Sequence, residues 1–119
     1  MLLESQLWVC TSGGSNKYYL VVGNGDDGCD VYYGRLQALE KCNFSNHYVY
    51  SRSVDAQMRK KMTGWRRKSE DYQQVFYRMV VEQTDAFDIA VEWARSGELV
   101  EAKKELVGAV SSGWFNNGE

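Results

Sequence analysis

Six bases fall within ten residues of this chain, Arg59, Lys60, Lys61, Arg66, Arg67 and Lys68, with Trp65 among them and no acid. Cations at this density gain affinity for phosphates by releasing counterions, and an exposed indole stacks on a base or sugar. A second reading leaves the charges solvated and uses Trp65 to anchor a helix end in the core. Self-repulsion of unopposed charge favours a polyanion that would relieve it. The net charge of −2 conceals the segregation: of the 14 bases, six sit in this block, and eight remain elsewhere against all 16 acids. The block therefore attracts a polyanion or pairs with the acidic remainder of its own or a partner chain.

Other residues with chemical potential point less far. Cys42 and the single histidine, His47, are five residues apart, and Asp26, Asp27 and Asp30 are available elsewhere in the chain. A Cys–His nucleophile needs the thiol within hydrogen-bond reach of an imidazole that a third group orients, and a local spacing does not supply that. The segment Gly23-Asn-Gly-Asp-Asp-Gly28 lacks the Gly-Lys-Ser/Thr of a phosphate loop and the terminal glutamate of an EF-hand, so a hairpin turn accounts for it. No catalytic residue, metal ligand or cofactor is assigned. Three cysteines, Cys10, Cys29 and Cys42, without a CxxC pair are read as free structural thiols, which places the protein in a reducing, cytosolic setting. No basic segment precedes an apolar run at Met1, and no stretch approaches the ~20 apolar residues of a membrane helix.

The elements that must position these groups follow from composition and pattern. At 119 residues, 44% apolar and 13% aromatic, one core is the simplest reading. With no proline, turns rest on the 11 glycines and on Asn, Asp and Ser. Residues 6–10, 17–22, 29–33 and 47–52 read as strands, separated by the turn formers of residues 11–16 and 23–28. LQALEKC, residues 36–42, suits a helix by propensity but is short for one. Ser53 caps an expected helix over residues 54–63, closed by Gly64, and Ser69 caps another over YQQVFYRMVVEQ, where Tyr72, Val75, Phe76, Met79 and Val80 recur at helical spacing. Thr84 precedes a helix with a stripe of Ala86, Ile89, Ala90 and Trp93, ended by Gly97, and a further helix carrying Leu99, Val100, Leu106 and Val110 would complete a C-terminal helical hairpin. The expected fold is α+β: a small N-terminal antiparallel sheet packed with helices over residues 1–68, and a helical extension over residues 69–119 of the same domain.

Asn16-Lys17-Tyr18-Tyr19, Val31-Tyr32-Tyr33-Gly34-Arg35 and Lys60-Lys61-Met-Thr-Gly64-Trp65 together resemble the WGR domain, a small sheet-plus-helix module, over roughly residues 16–72. Tyr33, Gly34 and Arg35 stand where that family has Trp-Gly-Arg, and Leu36-Gln37 lacks the glycine usual two residues after the arginine. The resemblance implies that Tyr33 and Arg35 lie against sugar-phosphate at a strand end.

Two functions remain in competition. The first is a non-enzymatic nucleic-acid-binding module, for DNA or RNA, in which Arg35, Arg59, Lys60, Lys61, Arg66, Arg67 and Lys68 meet phosphates and Tyr33 or Trp65 stacks. The second is a protein-interaction factor, a phage-type or accessory inhibitor or adaptor that acts on a host enzyme through segregated charge and aromatic hot spots. Convergence of the cations with an exposed aromatic on one face supports the first, and neutralisation by the protein's own acids supports the second.

Overall fold

The computed structural model describes residues 1–100, in which five strands form one antiparallel sheet packed with three helices, an α+β fold. The strands are β1 (Leu3–Cys10), β2 (Lys17–Gly23), β3 (Cys29–Arg35), β4 (His47–Tyr50) and β5 (Gln73–Val80), in the spatial order β4-β3-β2-β1-β5. The helices are α1 (Leu36–Glu40), α2 (Val54–Arg67) and α3 (Gln83–Ser96).

Strand alternation sends two apolar sets to opposite faces. One face carries Leu7, Val9, Tyr18, Leu20, Val22, Tyr32, Phe76 and Val80 under Leu39 of α1 and Ala86, Ile89, Ala90 and Val91 of α3. The other carries Tyr19, Val21, Cys29 and Val31 under Val54, Met58 and Trp65 of α2. The central strands are thus covered on both sides, and that is why β2 reads as a nearly unbroken apolar run.

The turns follow from local chemistry. Between β1 and β2, a 3₁₀ turn over Ser12–Gly14 holds Gly13 and Gly14 at φ of 59° and 80°, a region that a side chain disfavours. Between β2 and β3, the Asn24 side chain accepts from the Asp26 N–H at 3.0 Å, and the Asn24 N–H closes the loop on the Gly28 carbonyl. The expected hairpin is present, with β3 running two residues further than read, to Arg35.

Several expectations are corrected. Residues 73–80 form a strand rather than a helix: β5 pairs along β1, whose outer N–H and C=O groups would otherwise lack partners. The register slips by one at Val75, opposite the Leu7/Trp8 step, and Val75 and Phe76 both pack into the α1–α3 core. That bulge imitates a helical repeat in the sequence. Residues 73–80 are therefore built into the sheet rather than belonging to a purely helical extension.

Helix α2 does not stop at Gly64 but continues to Arg67, because Trp65 lies one turn beyond Lys61 on the sheet-facing side and is only 6% exposed. Burying an indole outweighs the ~1 kcal/mol that an internal glycine costs. The Ser53 hydroxyl accepts from the Ala56 N–H at 3.1 Å and starts this helix as expected. Ser69 caps nothing: it follows α2 at φ 56°.

At α3 the cap is Glu82, not Thr84. Glu82 and Asp85 form a reciprocal capping box, and Gly97 ends the helix in a left-handed conformation with its N–H on the Trp93 carbonyl at 2.7 Å. The second helix of the expected C-terminal hairpin falls largely on residues 101–119, outside the described residues. No helix among the described residues is long and apolar enough to cross a membrane.

Candidate functional site

The α2 side of the sheet is only partly covered. Beyond the reach of α2, the ends of β2, β3 and β4 leave a concavity of about 850 Å³ against the Gly13–Ser15 turn. Antiparallel pairing sets its floor: Lys17 is opposite Arg35, and Tyr19 is opposite Tyr33. Tyr48 and Tyr50 alternate along β4 and join the same face, and the C-terminal half of α2 with the Lys68 that follows it adds Lys61, Trp65 and Lys68 as one wall.

Aromatic rings line this groove. Tyr33 and Tyr48 stack with ring centroids 5.6 Å apart and planes 4° from parallel, yet they remain 36% and 54% exposed. The Tyr48 phenol beside it holds the Tyr33 phenol above its usual range. Deeper in, Trp65 stacks on Tyr72 at 3.9 Å, meets Tyr19 edge-on at 5.4 Å and tilts against Trp8 at 5.7 Å. Burial pushes the Tyr19 phenol up to about 12, and its oxygen accepts from the Gln57 amide at 2.8 Å.

The cations are arranged around these rings. Lys61 places its ammonium 5.2 Å from the Tyr19 ring centroid. Lys17 is bound to Glu70 at 2.6 Å, and Glu70 is the one acid on the groove lining among the described residues. That bond is the leading reason the Glu70 carboxyl is held below, and the Lys17 ammonium above, its usual range. The depressed carboxylate contributes stability that is lost as pH falls through its folded value. The raised ammonium contributes stability that is lost as pH rises through its own, so the pair holds across neutral pH. Among the described residues, no acid lies within ion-pair distance of Arg35, Lys61 or Lys68.

The residues singled out in the sequence divide accordingly. Tyr33, Arg35, Lys61, Trp65 and Lys68 line one groove. Arg59, Lys60, Arg66 and Arg67 are exposed but do not line it, and Arg59 pairs with Asp55 at 3.0 Å on the outer surface of α2. Trp65 is a core anchor forming the wall of the site, not an exposed stacking platform: Tyr72 covers one of its faces. Neither a protein-family model, nor a curated protein, nor a solved structure matches the chain. The site therefore rests on its own geometry.

Sequence reasoning missed Lys17, Asn46, Tyr48, Tyr50 and Tyr72. Two of these carried a signal: the period of two in His47-Tyr-Val-Tyr50 puts both tyrosines on one face. Elsewhere, His47 is held by Asp30 at 3.1 Å and stacks on Tyr32 at 4.4 Å, on the opposite side of the sheet. Asp30 also accepts from the Gln83 amide. No hydrogen bond among the described residues joins His47 to Cys42, and the Cys29 thiol is pushed up to about 11 by burial.

Proposed function

We propose that the chain is a small non-enzymatic binding module that holds the sugar-phosphate backbone of a nucleic acid in this groove. The observation that carries the reading is convergence. Arg35, Lys61 and Lys68 come from two separate segments, make no ion pair among the described residues although the charges of Lys61 and Lys68 reach Glu70, and line the same concavity as the exposed Tyr33–Tyr48 pair. Cations supply affinity for phosphate, and half-exposed rings supply contact to base or sugar. Tyr33-Gly34-Arg35 are also the positions at which the chain resembles the WGR domain, and membership of that family is part of the proposal. The alternative role as a protein-interaction factor would be favoured by neutralisation of the basic block by the chain's own acids. In the described residues, ion pairs to that block are limited to Asp55–Arg59.

A salt titration of binding to a fluorescent oligonucleotide tests the reading. Replacing Arg35, Lys61 and Lys68 together with Gln is expected to weaken binding. The slope of log affinity against log salt should flatten by roughly 0.7 to 0.9 for each phosphate that is no longer neutralised. Replacing Arg66 and Arg67 with Gln should change the slope far less, although it removes charge from the same ten-residue block. Melting should move little in either variant, since exposed charges contribute roughly 0–1 kcal/mol each. If the native protein binds no nucleic acid even at low salt, the reading fails and the second function takes its place.

The lone groove acid gives an independent check with the opposite sign. Glu70→Gln releases Lys17, so binding should tighten and the salt slope should steepen by roughly 0.7 to 0.9, the contribution of one further neutralised phosphate. Weaker binding by a normally folded Glu70→Gln protein would remove Lys17 from the proposed site.

A further inference from the structure

A second concavity of about 350 Å³ adjoins the groove on its far side. The two share Tyr33, Gly34, Arg35 and Asn46 as a common ridge. Beyond the ridge, the second is lined by residues of α1 and of the loop between α1 and β4, including Lys41, Asn43 and Ser45. Gly34 has no side chain to divide the two spaces, and its φ of 154° disfavours one. Together they make one bent channel with cations at both ends and in the middle: Lys61 and Lys68, then Arg35, then Lys41.

We propose that this channel takes a single strand of nucleic acid, laid across the Gly34–Arg35 ridge so that consecutive nucleotides occupy both concavities. The inference rests on reading the groove as a nucleic-acid site and adds the form of the ligand and its path. Three features select a single strand over a duplex. The Tyr33 and Tyr48 rings present exposed aromatic surface, which stacks with unpaired bases but meets only edges in a duplex. Helix α2, the one strongly cationic helix described, turns Lys61 and Trp65 back against the sheet, so these residues cannot enter a major groove about 12 Å wide. Asn43, Ser45 and Asn46 on the far side add short polar groups that suit base edges freed from pairing.

Anisotropy titrations of the full chain with oligothymidylates of about two to twelve nucleotides, and with a hairpin duplex, test this against the roughly 4–16 nucleotides that one small single-strand-binding fold covers. Affinity should rise with length until both concavities are filled and then level off, and the duplex should bind several-fold more weakly at equal salt. Lys41→Gln should weaken the longer oligomers several-fold and leave the dinucleotide unchanged, whereas Tyr48→Ala, exposed and harmless to folding, should weaken all of them. Duplex binding as tight as that of the single strand, or indifference to Lys41→Gln at every length, overturns the path while leaving the groove reading standing. Absence of binding to any oligomer at low salt overturns both.

Discussion

A chain ended at Val81, with α3 and all that follows removed, is expected to show no cooperative melting transition. Helix α3 supplies Ala86, Ile89, Ala90 and Val91 to the larger core, and its loss uncovers Leu7, Leu20, Phe76 and Val80, all under 5% exposed in the intact fold. Full burial of each large aliphatic or aromatic side chain stabilises by about 1.5–3 kcal/mol. Uncovering several of them therefore removes an amount comparable to the roughly 5–15 kcal/mol that holds a domain of this size together. Calorimetry or circular dichroism during heating checks this, and a sharp transition in the shortened chain would show that the sheet and α2 form a sufficient core by themselves.

Trp65→Ala is expected to destabilise the protein by about 3–5 kcal/mol, the usual range for emptying a buried aromatic site. Three aromatic partners, Trp8, Tyr19 and Tyr72, surround the ring and would border the resulting void. Urea unfolding measures the change, and Trp65→Phe, which keeps a ring in place, should lose much less. The contrast with Tyr48→Ala is diagnostic: Tyr48 is 54% exposed, so its removal should affect ligand binding with little change in the unfolding midpoint. An unchanged midpoint for Trp65→Ala would mean that the indole is not buried in solution and would return it to the stacking role.

Four strands were legible because aromatic and β-branched residues bounded by Gly, Asn, Asp and Ser leave little choice. β5 was not, since the bulge at Val75 gave a strand the spacing of a helix, and only the open edge of β1 decides between them. The site was half legible for a related reason. Counting charges along ten residues treats Arg59 to Lys68 as one patch, but a helix distributes them around its axis. Lys61, Trp65 and Lys68 stand at i, i+4 and i+7 and share the side facing the groove, while Arg59, Lys60, Arg66 and Arg67 fall elsewhere. That period was in the sequence and was hidden by treating Gly64 as a stop. Lys17 and Tyr72 carried no local sign at all, because strand register and the return of the chain to β1 bring them in.

The pairing of β1 with β5 has a consequence for how the molecule is made. β1 through β4 are joined to their neighbours by short connections, but Leu3 lies opposite Val80, so the last strand closes a loop of roughly 70 residues. Pairings that span so much chain form slowly compared with hairpins. On a ribosome adding about 5–20 residues per second, the outer edge of β1 stays open for several seconds after the first hairpin emerges. The tyrosines of β3 and β4 are synthesised before the wall that encloses them, since Trp65, Lys68, Glu70 and Tyr72 lie immediately ahead of β5. A nascent chain therefore displays its rings before it can form the groove, which is complete only as the closing strand is made.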